Sequence, residues 1–262
     1  CNDKRLIPEA SCRICLVEVE GAGKLIPACS AKVSDGMRIF TENERVINAR
    51  KNILDLILAD HDFDCPNCPK NGVCRLQEYC LKYDIKKSSY TRKSKIFDID
   101  TSNNFYSFNP NRCILCRKCV RVCRELQGRD VLTASGRGVF THIEPPFNTG
   151  LGNSRCVSCG NCISVCPVGA LVPKRNIPFE NDEIKKTRTT CVYCGVGCQM
   201  NLLTKGNKVV GTEPLDMVPN NGLLCVKGAF AYNFINHRDR LKTPLIKKDG
   251  IFVESSFDEA VD

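Results

Sequence analysis

Three histidines, three methionines and no tryptophan stand among the 262 residues. With so little imidazole, metal chemistry in this chain has to rest almost wholly on other ligands. No apolar run approaches the roughly 20 residues that cross a bilayer, so no membrane span is expected. Nothing at the N-terminus looks like a secretory signal, which argues against a disulfide-rich secreted protein. The Gly136-Arg-Gly138 pair is too weak a signal to suggest nucleotide binding.

Cysteine is what the chain has in abundance, with 20 residues. The run Cys113-Ile-Leu-Cys116-Arg-Lys-Cys119-Val-Arg-Val-Cys123 recurs as Cys156-Val-Ser-Cys159-Gly-Asn-Cys162-Ile-Ser-Val-Cys166, closed by Pro167. Zinc sites separate their cysteine pairs by longer spacers. Two copies of C-x2-C-x2-C-x3-C instead predict two [4Fe–4S] clusters, with the fourth thiolate of each copy serving the other copy's cluster. The expected sets are Cys113, Cys116, Cys119 and Cys166 for one, and Cys156, Cys159, Cys162 and Cys123 for the other. This segment resembles a bacterial-type two-cluster ferredoxin with a long insert at 124–155.

Three further sets follow the same logic. Cys1, Cys12, Cys15 and Cys29, with two widely spaced members, suit a [2Fe–2S] cluster. Cys65, Cys68 and Cys74 need a fourth partner for a [4Fe–4S] cluster, and His61 stands four residues ahead of the first. Cys191, Cys194, Cys198 and Cys225 give another [4Fe–4S] set. Cys80 is left over and reads as a small packed thiol on the buried side of a helix.

The formal charge of +9 would ordinarily suggest a nucleic-acid or anionic-surface partner. Five oxidised centres, one of them with a histidine ligand, contribute about −9, so the loaded protein is near neutral. No nucleic-acid partner is expected, and Arg117, Lys118, Arg121 and Arg124 read as local counter-charges to the clusters. A reducing, cytoplasmic setting suits so many metal-spaced thiols.

Between these sets the local pattern predicts a strand over 14–20, a turn at Gly21-Ala-Gly23 and a return strand over 24–28. Thr41-x-x-Glu44 offers a capping box for a helix over about 43–59, with Val46, Ile47, Ile53, Leu54, Ile57 and Leu58 on its apolar face. The polar stretches 86–109 and 174–190 read as linkers, with Phe105, Tyr106 and Phe108 packing at the end of the first. Segments 200–203 and 208–211 read as a hairpin, and Ser256-Phe-Asp-Glu-Ala260 as the start of a helix.

The first hairpin and its four cysteines resemble the N-terminal domain of the large iron–sulfur subunit of respiratory NADH dehydrogenases, [FeFe] hydrogenases and NAD-linked formate dehydrogenases. Those families carry H-x3-C-x2-C-x5-C where His61 and Cys65, Cys68 and Cys74 stand here. A first β-hairpin precedes the first cysteine in those families, so the chain is expected to start inside its domain. The last set, continuing as Leu224-Cys225-Val-Lys227-Gly228, resembles the N-terminal [4Fe–4S] domain of molybdopterin-dependent oxidoreductases, most closely the catalytic subunit of formate dehydrogenases. The resemblance implies an α+β string of small modules. They are a partial β-grasp [2Fe–2S] domain over 1–40, a His/Cys3 module over 41–85, a linker over 86–109 and a two-cluster ferredoxin module over 110–175. A second linker over 176–187, a molybdopterin-oxidoreductase [4Fe–4S] domain over 188–243 and the opening of the molybdopterin catalytic domain over 244–262 complete it.

The resemblance further implies Lys227 as the link between cluster and pterin, and a molybdenum or tungsten bis-pterin site beyond these residues, acting on formate or CO2. The implied partners are a flavin-bearing iron–sulfur subunit using NAD(P), or an [FeFe] hydrogenase subunit. Alternatives left open are the large subunit of an NADH dehydrogenase, an [FeFe] hydrogenase, a non-catalytic electron-wiring subunit, and a relative acting on another small substrate.

Overall fold

The computed structural model describes residues 1–90, 96–174 and 183–262. Strands β1 (Leu16–Val19), β2 (Ile26–Pro27) and β3 (Ile39–Phe40) form an antiparallel sheet in the order β2-β1-β3. The expected hairpin is present but short, and β3 is an addition. Its two residues are exposed and flanked by polar turns, so no alternation marks them. Helix α1 (Glu44–Ala59) then crosses the sheet, with the Arg50 guanidinium donating to the Leu16 carbonyl at 2.8 Å and the Tyr83 hydroxyl at 3.1 Å. Its N-cap is Asn43, whose side chain accepts from Val46 N, and not the expected Thr41 box. Val46, Leu54 and Leu58 are buried along one stripe. Truncating Leu54 to alanine would cost about 2–5 kcal/mol.

Helix α2 (Arg75–Lys82) starts at Cys74 and buries Leu76 and Cys80. Strand β4 (Tyr106–Phe108) follows, then helix α3 (Lys118–Arg121), which runs into a π-turn over Val122–Leu126 carrying Cys123. The insert forms a hairpin of β5 (Thr133–Ser135) and β6 (His142–Glu144). Helix α4 (Asn161–Val165) is the second-repeat counterpart of α3, and β7 (Leu171–Pro173) pairs antiparallel with β4. Residues 96–109 are therefore no linker. Asp100 bridges to Phe108, and its carboxylate accepts from Leu151 N at 2.7 Å. Tyr106 and Phe108 are buried as expected, whereas Phe105 stays 37 % exposed.

The second expected linker also ends in structure. Strand β8 (Lys185–Thr190) joins β9 (Gln199–Lys205) and β10 (Lys208–Pro214) in the order β10-β9-β8. As an exposed edge strand it has no buried face to impose apolar alternation, and its lysines suit an edge. The remainder of that stretch, 175–182, lies outside the described residues, as do 91–95 of the first. Helix α5 (Val226–Phe230) packs on β10 through the Thr212 hydroxyl, which lies 2.9 Å from the carbonyls of Gly228 and Ala229. A hairpin of β11 (Leu245–Lys248) and β12 (Ile251–Glu254) and helix α6 (Phe257–Val261), capped by Ser256 and Glu259, close the chain.

One apolar cluster runs through several of these small elements. It extends from Leu54 and Leu58 through Tyr106, Val122, Ile143 and Leu171, with Leu223 and Phe230 packed against it. The modules are therefore fastened to one another and not merely strung. Among the described residues no helix is long and apolar enough to cross a membrane.

Candidate metal centres

The two repeats take up the same backbone. Leu115 and Arg117 in the first, and Ser158 and Gly160 in the second, occupy matched positions with positive φ, curling each loop around its sulfurs. In each copy the amide two residues on donates to the first sulfur, Leu115 N to Cys113 Sγ at 3.4 Å and Ser158 N to Cys156 Sγ at 3.3 Å. Nests of inward-pointing amides favour negative charge, which is what a thiolate-bound cluster carries.

The structure brings each fourth cysteine near the other repeat's thiols, Cys166 within electrostatic reach of Cys113 and Cys123 beside the second set. Cys123, Cys156, Cys159 and Cys162 together line one cavity, with Tyr106, Asn161 and Leu151 among its walls. Burial, and then the neighbouring thiolates of Cys159, Cys156 and, more weakly, Cys123, push the Cys162 thiol up. In the other set, burial raises Cys113 to about 12, opposed by the Leu115 amide and reinforced by Cys166 and Cys116. Burial pushes Cys119 well up too, with Cys113, Cys166, Cys116 and Cys162 adding to it. The two sets thus adjoin through Cys119 and Cys162. Among the described residues no three His, Cys, Asp or Glu side chains converge tightly enough for a single metal ion. The four sulfurs of the second set stand instead around a cavity wall, a donor set that suits a polynuclear centre.

The Cys191 set sits differently. Burial raises Cys198, followed by Cys191, Cys194 and Cys225, so all four lie within electrostatic reach. Cys191 N donates to the Cys198 carbonyl at 2.8 Å, closing the loop. Yet Cys194 and Cys225 are exposed, as are Val192 and Val196 beside them. Cys225 caps α5, and Lys227 two residues on is exposed.

Around the histidine-bearing set, burial raises Cys65, followed by repulsion from Cys74, Cys68 and Asp64. His61 is half-buried at the end of α1, and Asp62 N donates to the Asn111 carbonyl at 2.9 Å, tying this loop to the first repeat. A methyl at Gly169 would collide with Cys68 Sγ, and Cys74 Sγ lies 3.7 Å from the Pro167 carbonyl. The turn after Cys166 is thus packed directly on this set. Cys80, buried on α2, has its thiol raised to about 11 by burial and then by Cys65 and Cys74.

In the first set Cys1 N stands 3.2 Å from Cys12 Sγ. Burial raises Cys29, followed by its hydrogen bond to Cys15 and repulsion from Cys15. Arg121 binds this region to the repeats. It is 3 % exposed and donates to the carbonyls of Cys1, at 3.3 Å, and Ile7, while pairing with Glu125 at 3.2 Å. Arg124 pairs with Asp130 at 2.9 Å. These two arginines, expected as counter-charges to clusters, each pair with a carboxylate.

Two polar contacts carry no signal in the sequence. Asn161, 2 % exposed, accepts from Leu224 N at 3.1 Å and donates to Gln127 Oε1 at 2.9 Å, joining the second repeat to the residue before Cys225. The Tyr106 hydroxyl lies 3.1 Å from Cys156 Sγ, and burial first, then the thiolates around it, push its phenol far up. Neither is marked by spacing, because each acts across the fold.

Four family models match in sequence order. They are the 2Fe-2S iron-sulfur cluster binding domain at residues 2–44 and the NADH-ubiquinone oxidoreductase-G iron-sulfur binding region at 50–89. The NADH-quinone oxidoreductase subunit 3 ferredoxin-like domain follows at 104–172, and the molybdopterin oxidoreductase Fe4S4 domain at 184–237. Among curated relatives, a G-type NADH-quinone oxidoreductase subunit of Rhizobium meliloti is 39 % identical over 100 % of this chain and 31 % of its own length. A Staphylococcus haemolyticus protein provisionally named a formate dehydrogenase is 30 % identical over 100 % of this chain and 30 % of its own. The chain thus spans about a third of the length of these relatives. A crystal structure of an NAD+-reducing [NiFe]-hydrogenase in the H2-reduced state superposes with a TM-score of 0.59 at 29 % identity, covering 66 % of this chain and 75 % of that one.

Proposed function

The chain is an iron–sulfur electron-transfer part of a protein of the G-type NADH-quinone oxidoreductase and molybdopterin oxidoreductase family, and from that premise we propose that it wires a formate site to a pyridine-nucleotide partner. In this reading it holds four [4Fe–4S] clusters and one [2Fe–2S] cluster on the nineteen cysteines and His61 assigned above. The clusters, when bound, accept and release single electrons. The polypeptide fixes their order. Leu224–Asn161 and the Phe230–Tyr106 stack set the Cys191 loop against the second repeat, and Cys119 lies within electrostatic reach of Cys162 between the repeats. Pro167 and Gly169 set the first repeat's site against Cys68 and Cys74, while Arg121 sets the α3 end against Cys1.

The observation that carries this reading is the cavity shared by Cys123, Cys156, Cys159 and Cys162. In this reading it would give the second repeat its four ligands, which supports a twin-centre conductor beside the molybdopterin-type domain. Lys227, on the exposed face of α5, would meet a molybdenum or tungsten pterin domain lying beyond these residues. A flavin subunit using NAD(P), or a hydrogenase subunit, would meet the [2Fe–2S] end.

The second reading is the large iron–sulfur subunit of an NADH-quinone oxidoreductase, favoured by the 39 % identity to the Rhizobium relative. Metal analysis and electron paramagnetic resonance on the intact protein separate the two. Formate reducing the centres in a protein that holds molybdenum or tungsten supports the proposal. Reduction by NADH alone, with neither metal present, would sink it in favour of the NADH-quinone oxidoreductase reading.

A further inference from the structure

The twin sites share a backbone but not their surroundings. The paired amides, Leu115 N on Cys113 and Ser158 N on Cys156, treat the two first cysteines alike. Only the second receives a side-chain contact as well, the Tyr106 hydroxyl at 3.1 Å from Cys156 Sγ. Among the described residues no side-chain donor reaches a sulfur of the Cys113 set. The fourth cysteines differ in the same sense, since Cys123 Sγ accepts from Val131 N at 3.4 Å whereas Cys166 Sγ faces the Val168 carbonyl at 3.2 Å. A thiolate bound to iron has no proton to give, so in the Tyr106–Cys156 contact the phenol must be the donor.

We propose that Tyr106 sets the reduction potential of the Cys156 centre, raising it selectively over its twin by donating a hydrogen bond to the Cys156 thiolate. The proposal rests on the ligand assignment above. A donor on the sulfur withdraws electron density and stabilises the added negative charge of the reduced cluster. The strength is that of a bond to a charged acceptor in a buried site, with Tyr106 1 % exposed. The ring is held for the purpose. It sits on β4 where that strand pairs with β7, and Phe230 stacks on it at 6.2 Å with planes 15° apart. Phe230 belongs to α5, which begins at Cys225, so the aromatic pair stands between the Cys191 loop and the second repeat. A tuned centre at that junction would sit as a step downhill from its neighbour.

Tyr106→Phe keeps the ring, the stack and the strand pairing and removes one hydroxyl. In the intact protein, an anaerobic redox titration followed by electron paramagnetic resonance reads each midpoint, and a Cys123→Ser variant marks which signal belongs to the second set. The expected result is about a tenfold loss in the equilibrium constant for reducing that centre. For a one-electron couple this is a downward shift of about 59 mV. The other midpoints and the iron content stay unchanged. Deuterium coupling from an exchangeable hydroxyl should appear on the same signal in wild type and vanish in the variant. An unchanged or raised midpoint, or an equal shift at the Cys113 centre, would overturn the role of Tyr106. If Cys123→Ser and Cys156→Ala both keep the full iron complement and every signal, the ligand assignment fails first and the proposal falls with it.

Discussion

The second repeat and the Cys191 loop hold similar numbers of sulfurs in opposite settings. Cys162 is 8 % exposed and its neighbours close a cavity, whereas Cys194 and Cys225 are exposed and Val192 beside them is 75 % exposed. A buried centre is shielded from water, but low dielectric disfavours its added charge. The Ser158 and Val131 amides and the Tyr106 hydroxyl answer that penalty. An open centre keeps solvent as its compensating dipole and presents an edge to whatever docks there. Under the proposed function, the contrast separates a conductor's interior from its terminal.

Metal removal should break the contrast most visibly. Chelator or oxygen applied to this chain is expected to strip the Cys191 centre on the order of 100-fold faster than the second-repeat centre, because the buried site must open before it reacts. Quench-time iron counts with electron paramagnetic resonance check it, and equal rates would show that burial does not distinguish the two sites.

Glycines at matched places give the next test. Gly160 follows Cys159 at φ +76, and a methyl there would meet the Phe230 ring at 3.1 Å. Gly195 follows Cys194 with nothing within 4 Å. Gly160→Ala is expected to cost about 2 kcal/mol of stability, and Gly195→Ala to stay within about 0.5 kcal/mol, measured by denaturant melts. Similar costs would mean that the buried loop is looser than its packing implies.

Lys227→Ala sharpens the terminal's side of the comparison. Iron content should stay intact while substrate-driven reduction slows by about tenfold, the effect of about 1.4 kcal/mol at a barrier. Stopped-flow absorbance reads it, and normal turnover would remove Lys227 from the path. The smallest effect belongs to Cys80→Ser. Exchanging a packed thiol for a hydroxyl should cost about 1 kcal/mol and no iron. Loss of a cluster there would mean that Cys80 is a ligand.

How much of this is legible in the chain depends on which force writes the feature. Cysteine spacing is a local constraint, so the grouping of Cys156, Cys159 and Cys162 around one cavity, with Cys123 of the other repeat beside them, can be read from the sequence. The apolar stripe of α1 is equally plain, because Val46, Leu54 and Leu58 recur at helical spacing. Strand β8 reads as a linker instead, since an edge strand of lysine and threonine carries no buried face, and the 96–109 segment does so because its one short strand, β4, follows a polar stretch. Asn43 displaces Thr41 as the cap because its side chain reaches Val46 N at 3.0 Å, a choice between neighbours that composition does not rank. Tyr106 and Asn161 gain their meaning only when β4 and Leu224 arrive from distant sequence.

The clasp of Tyr106–Phe108 with Leu171–Pro173 has a consequence for ancestry. It lays the entrance and exit of the double-repeat segment side by side. A segment with adjoining ends can be spliced into a host polypeptide, or lost from it, while the flanking pieces keep their positions. Conductors of different length could then be assembled by cassette exchange, with the host needing only a doorway two strands wide.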